Sequence, residues 1–389
     1  VRTEVQFIPA KLKVIDHYRE TYECRSCRKN GTPYMEKAPV PYPPVLHSLA
    51  SASTITWLIH QKFELSIPLY RQEKEWEALG LRLSRATMSN WLLVVYRDWL
   101  VHIVHRLKLE LLKQRYLHID ETHVQVLKEP GRKNTSDSYM WVYCSIRDAV
   151  NPIRYFEYQP GRSGKYPEAF LREYEGYIHT DAYSGYNAVS GVKRCLCYTH
   201  LRRAFVDALP KDIHNSEASK PAEAILRLNQ LFNIESELEA FPPDQKKKER
   251  LIREKPLLEA FWSWAEKSAI GELPKSKLSK AFHYALNNRE GFWNYLEDGN
   301  CSISNSLAEN CIRPFVIGRK NWLFSGSPKG AEASAGIYTL VETAKANGLA
   351  PMKYIKYILS DMPGSAFLEH PEYLDDYLPW NPLVKEFCR

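Results

Sequence analysis

Tyr116-Leu117-His118-Ile119-Asp120-Glu121-Thr122-His123-Val124-Gln125-Val126-Leu127 is the stretch whose reading decides the fold. Its β-branched and apolar residues predict a strand. Apolar side chains fall at both odd and even positions, the pattern of a strand covered on both faces in the middle of a sheet. Asp120 stands at its centre. A carboxylate there loses hydration and needs a partner, a proton or a metal. The alternative is a strand that ends early, with Asp120-Glu121-Thr122 as a polar turn.

The residues that follow favour the central strand. Tyr139 to Ile146 and Ile153 to Tyr158 predict a second and a third strand, with Asp148-Ala149-Val150-Asn151-Pro152 as the turn between them. Tyr166 to Tyr174 predicts a helix, Gly176 to Asp181 a fourth strand ending on a second aspartate, and Val192 to Cys197 a fifth that runs into a helix from Thr199. Three meandering strands, a helix, a strand, then strand and helix is the element order of an α/β, ribonuclease-H-like core with a mixed five-stranded sheet. In such a core the first and fourth strands are neighbours, so Asp120 and Asp181 would face one another.

The chain has 389 residues, room for two or three domains, and its 44% apolar content can build a sizeable core. No run of about 18 apolar residues occurs, so no membrane span is expected. Leu92 to His105 comes nearest and is broken by Arg97-Asp98. Nothing at the start of the chain reads as a signal peptide. Eight cysteines are too few for a secreted disulfide scaffold of this length, which points to the reducing cytoplasm. The net charge of +7 is uneven: residues 1–115 carry 18 Lys and Arg against 11 Asp and Glu, and the remainder is neutral. A basic first third on a neutral body fits a polyanionic partner.

Residues 1–31 end in Cys24-Arg25-Ser26-Cys27, a Cys-x-x-Cys turn that supplies half of a structural zinc site; two reduced surface cysteines are the alternative. Residues 32–47 hold five prolines and read as a linker. Residues 48–114 read as all helix: Ser48 to Phe63, Pro68 to Leu79, a Gly80-Leu81-Arg82-Leu83 turn, then a helix capped by Ser84 and running to Trp99. That is a helix-turn-helix pattern, or else a plain helical hairpin; in the former, Arg82 and Arg85 lie where DNA is contacted. Residues 115–205 form the first part of the α/β core, and 206–285 a charged helical insertion whose Phe261-Trp262-Ser263-Trp264 is read as core rather than a base-stacking platform. Residues 286–360 complete the core and 361–389 form a tail. In this last third Asn305 or Ser306 caps a helix carrying Glu309 and Arg313, which an ordinary i,i+4 ion pair would also explain. Gly318-Arg319-Lys320-Asn321-Trp322-Leu323-Phe324 is a basic–aromatic cluster suited to phosphate contact and base stacking. Cys197 and His200 share a helix face. Zinc there lacks two partners, so a structural or DNA-positioning role is expected, with Arg202 and Arg203 facing phosphate.

Four motifs, in order, resemble the insertion-sequence-66 family of bacterial DDE transposases. They are His118-Ile119-Asp120-Glu121-Thr122, Gly176 to Tyr186, Cys197 to Phe205, and Asn305 to Glu309 followed by Gly318 to Phe324. The resemblance implies an acidic triad of Asp120, Asp181 and Glu309. It also implies DNA as partner, both the element ends and the target, met by a homo-oligomer near the nucleoid with companion proteins of the same element. In similar proteins an earlier Cys-x-x-Cys completes the zinc site, so Cys24 and Cys27 are expected to need ligands from before Val1. Transposition displaces oxygens at phosphodiesters, chemistry suited to two Mg²⁺ or Mn²⁺ ions about 3.5–4 Å apart, which prefer carboxylate ligands. Asp120 is the expected bridging ligand, His118 and Thr122 share its face, and Glu332 and Glu342 compete with Glu309 for the third place. Arg82, Arg85, Arg202, Arg203, Arg313, Arg319, Lys320 and Trp322 form the expected DNA-contacting set. The competing functions are a nuclease that cuts without joining and a DNA-binding protein with an inert core.

Overall fold

A computed structural model describes residues 2–6, 10–210 and 219–389. Near the N-terminus, β1 (Thr21–Glu23) and β2 (Met35–Lys37) pair antiparallel around the short helix Arg25–Lys29, so the proline-rich stretch contributes a strand. Cys24 and Cys27 lie on that turn, and among the described residues no third ligand-type side chain joins them.

The main sheet is built from β3 (Tyr116–Val126), β4 (Asp137–Ser145), β5 (Arg154–Gln159), β6 (Gly176–Thr180), β7 (Val192–Leu196) and β8 (Phe324–Ser325). Its order is β5-β4-β3-β6-β7, with β8 added to the far end of β3. β4 alone runs against the others: β3 and β5 pair with it antiparallel, and β3–β6, β6–β7 and β3–β8 are parallel. The fold is therefore mixed α/β with five strands where they are expected and a sixth, two-residue strand in addition. β8 becomes possible because Leu323, at φ 67°, reverses the chain at the end of the helix Ser306–Trp322. Leucine rarely adopts that conformation, so its sequence carries no sign of the turn.

The helices are close to expectation, with instructive differences. Ser51 caps Ala52–Ile59, which widens into a π-turn over His60–Glu64. Ser84 caps Arg85–Val95 through its hydroxyl and the Thr87 amide, but the helical path continues through Tyr96–Leu100 and Val101–Leu112 instead of ending near Trp99. No glycine or proline interrupts those residues. The helix expected at 166–174 is only Lys165–Phe170, and Glu173 beyond it sits at φ 66°.

These elements share one large apolar core. Ile55, Leu58, Met88, Val95, Ile103 and Leu107 of the N-terminal helices join Leu117, Ile119 and Val142 of the sheet and Ile337, Tyr338 and Ile355 of the C-terminal helices. Burial of this kind stabilises by about 1.5–3 kcal/mol for each large side chain. A second core lies beyond β7, where Tyr198, Leu201 and Phe205 pack against Leu228, Leu258, Phe261 and Trp262 of the insertion. Phe261 and Trp262 are fully buried, as the sequence leads one to expect. Part of the 206–285 insertion, residues 211–218, lies outside the described residues. Among the described residues no helix is long and apolar enough to cross a membrane.

Candidate active site

β3 delivers Asp120 from the middle of the sheet, flanked by β4 and β6. Tyr116, Leu117 and His118 pair in register with Tyr177, Ile178 and His179, so Asp181, just past the end of β6, lies on the same side as Asp120. His118 and His179 stack beneath them with ring centres 4.2 Å apart. Glu309 arrives from the first turn of Ser306–Trp322, a helix that packs across β3 and β4.

Burial and the neighbouring carboxylates of Glu121, Asp181 and Glu309 push the Asp120 carboxyl up to about 7. Losing water disfavours the charged form, and nearby negative charge disfavours it further. The cluster thus gathers like charges around Asp120. Glu309 Oε1 is buried without a hydrogen-bond partner, 3.7 Å from His200 Nδ1. Like charges gathered around Asp120 suit a hard divalent cation.

The cluster is held rigidly. Asp181 Oδ1 accepts the Tyr183 amide at 3.0 Å, and Arg194 of β7 donates to the Asp181 and Tyr183 carbonyls at 2.6 and 2.8 Å. Glu121 turns to the other face of β3, where Arg162 at 2.7 Å and the Tyr186 hydroxyl at 2.5 Å bind its carboxylate. Arg162 also stands 3.9 Å from Asp181 and lies over the Tyr183 ring, so it ties both faces together. Sequence reasoning missed Arg162. Its partner Glu121 is 41 residues away, and a lone arginine between Gly161 and Gly164 carries no periodic signal.

Asn305 joins Glu309 to Asp120. It is buried, its Nδ2 donates to the Ile119 carbonyl at 2.7 Å, and its Oδ1 accepts from His118 Nδ1 at 3.0 Å. Its own amide donates to Cys197 Sγ at 3.2 Å, and its carbonyl receives the Glu309 amide. One side chain therefore locks the start of the Glu309 helix to the Asp120 strand. Burial holds His118 well below the usual imidazole range, so its ring is neutral and Nδ1 carries the proton. Asn305→Ala leaves His118 Nδ1 and the Ile119 carbonyl unpaired. It is expected to cost about 2–4 kcal/mol in urea unfolding, against less than about 0.5 kcal/mol for the exposed Asn90→Ala.

The basic residues divide. Arg82 and Arg85 are exposed at the turn and first residue of their helix. Arg203 is exposed and, with Arg162, Asp181, His200, Asp207 and Tyr284, lines an open cleft of about 350 Å³ beside Asp181. Arg202 points instead to Asn229 of the insertion at 2.7 Å. Arg313 and Lys320 are exposed on the Glu309 helix, while Arg319 reaches Thr122 on the Asp120 face at 3.2 Å. Trp322 is half-buried, folded against Gly318 with Lys62 over its ring. Glu332 and Glu342 sit on Pro328–Ala346; Glu342 pairs with Lys345, and burial raises both carboxyls.

Comparison with known proteins accords with this geometry. The family described as "Transposase IS66 family" matches residues 47–333, and "zinc-finger binding domain of transposase IS66" matches residues 1–28. Two uncharacterized proteins of Sinorhizobium fredii, y4hP and y4jD, are each 26% identical to the chain, over 98% and 97% of its length and 70% and 74% of theirs. The longer family match takes in β3 to β8 and all three acids, and the chain belongs to the IS66 family of transposases.

Proposed function

We propose that the chain cuts DNA at the ends of its element and joins the freed 3′ end to target DNA, using Asp120, Asp181 and Glu309 to hold Mg²⁺ or Mn²⁺. The observation that carries this reading is Asp120, whose carboxyl is raised to about 7 by burial and by the nearby charges of Glu121, Asp181 and Glu309. The strand order β5-β4-β3-β6-β7 with β4 reversed supports a ribonuclease-H-like core, because it puts the first and fourth core strands side by side. When bound, two such ions activate a nucleophile and stabilise the leaving oxygen of an in-line displacement.

The protein's own residues supply position. Asn305 and His118 fix the Glu309 helix on the Asp120 strand. Arg194 and Arg162 fix Asp181 and keep Glu121 turned away. Exposed Arg203, Arg313 and Lys320 provide phosphate contacts around the cluster. Leu69–Ala78, the turn through Leu83, and the Ser84-capped helix serve as the helix-turn-helix, with Arg82 and Arg85 on the duplex. Residues 1–31, 48–114, 115–205 with 286–360, and 206–285 are on this reading the partial zinc-finger-like, DNA-binding, catalytic and inserted units.

Two experiments test it. End-labelled element-end duplex incubated with Mg²⁺ or Mn²⁺ is expected to be nicked to a 3′-hydroxyl and joined to a target plasmid; nicks without joining would favour a plain nuclease, and no nicks would defeat the proposal. Arg82→Ala and Arg85→Ala should each weaken duplex binding across sequences and lower the salt dependence of log Kd by about 1. An unchanged slope would remove this segment from the DNA interface.

A further inference from the structure

Two triads of ligand-type side chains bring their ligand atoms within 4.8 Å of one another among the described residues, His179–Cys195–Cys301 and Cys197–His200–Glu309; Asp120, Asp181 and Glu309 do not form a third. In the first, both histidine nitrogens are occupied. His179 Nδ1 pairs with the Leu117 carbonyl at 3.1 Å, and Nε2 accepts the Ser302 amide at 2.8 Å. No lone pair remains for a cation, and that triad is a packed, hydrogen-bonded core.

The second triad differs. Cys197 caps the helix Tyr198–Val206, and His200 follows one turn on, on the same face. Glu309 comes from the first turn of another helix, so two elements converge on one point. The ligand atoms all lie within 4.8 Å of one another. His200 Nδ1 and Glu309 Oε1 are both buried and both without a hydrogen-bond partner. They stop 3.7 Å apart, too far for a hydrogen bond. Two ligands of one tetrahedral ion, each about 2.0–2.2 Å from it, stand roughly 3.3–3.6 Å apart, close to that gap. Cys197 Sγ already accepts the Asn305 amide, a contact that suits a metal-bound sulfur.

We propose that Cys197, His200 and Glu309 form a binding site for a borderline-soft divalent cation of the Zn²⁺ or Co²⁺ class, beside the carboxylate cluster and sharing Glu309 with it. Sulfur and imidazole select such an ion over Mg²⁺. Three protein ligands leave a fourth position open to water or a DNA phosphate. Glu309 is bound to this site through Oε1. The ion thereby fixes the orientation of the carboxylate that the proposed function needs. It can be detected without any catalytic assay, so it stands or falls separately from that function.

The test is cobalt titration of the full chain carrying Cys24→Ser and Cys27→Ser, which removes the half-buried N-terminal thiol pair. One Co²⁺ per chain with a thiolate-to-cobalt charge-transfer band is expected. The band should be lost in Cys197→Ser and in His200→Gln, and retained in Asp120→Asn even as that variant loses cleavage. His200 is partly exposed, so His200→Gln decides the matter if Cys197→Ser does not fold. Absence of the band, its survival in His200→Gln, or its loss in Asp120→Asn would each overturn the proposal.

Discussion

Asp120→Asn, Asp181→Asn and Glu309→Gln are each expected to lower cation-dependent strand cleavage by about a thousandfold or more, while duplex affinity changes only a fewfold. An amide keeps the shape of the carboxylate and loses the charge that holds a hard cation. A loss of about 4 kcal/mol of transition-state stabilisation corresponds to roughly that factor. Glu342→Gln is the informative control. Glu342 pairs with Lys345 on a different helix and is not among the acids that raise Asp120. Single-turnover cleavage of a pre-nicked end, alongside filter binding, separates chemistry from affinity. Normal cleavage by Glu309→Gln with loss in Glu342→Gln would move the third acid to the later helix.

The second large effect concerns stability. Asp120 titrates at about 7 in the folded protein and near 3.9 when unfolded. Its folded form therefore keeps a proton that the unfolded chain releases above about pH 4. Stability of the cation-free protein should fall as pH rises from about 4 to about 7 and then level off, because in that window the folded state binds more protons. The full shift corresponds to about 4 kcal/mol, reduced by residual water at the site to roughly 2. Asp120→Asn removes this penalty. At pH 8 without divalent cations it is expected to melt a few degrees above the parent, with the advantage gone at pH 4. Saturating Mg²⁺ should shrink or reverse the difference, since only the parent gains from binding. Equal melting points at pH 8 would mean that Asp120 is not under electrostatic strain.

The central strand could be read from sequence because β3 is long, β-branched and apolar on both faces, and its neighbours are separated by recognisable turns. The Asp120–Asp181 proximity follows from strand order alone. What could not be read are contacts made across long separations and turns of unusual conformation. Asn305 looks like a helix cap. Its side chain instead spans 186 residues to the Ile119 carbonyl and gives up local capping. Arg162 acts through Glu121 and Asp181, neither of them near it in sequence. Cys197 and His200 lacked a third partner until folding brought Glu309 beside them. β8 depends on a single left-handed leucine. Trp322, read as a stacking platform, is half-buried because Gly318, one turn earlier, leaves room for the indole to fold back.

The most direct test of the claim that three separate elements bring their acids to one cation is iron-directed backbone cleavage. Fe²⁺ with ascorbate and peroxide cuts the polypeptide next to the site it occupies. The account predicts fragments ending near residues 120, 181 and 309 in the same chain, suppressed by excess Mg²⁺ and lost in Asp120→Asn. Cuts that avoid residues 120 and 181, or that persist unchanged in Asp120→Asn, would contradict it.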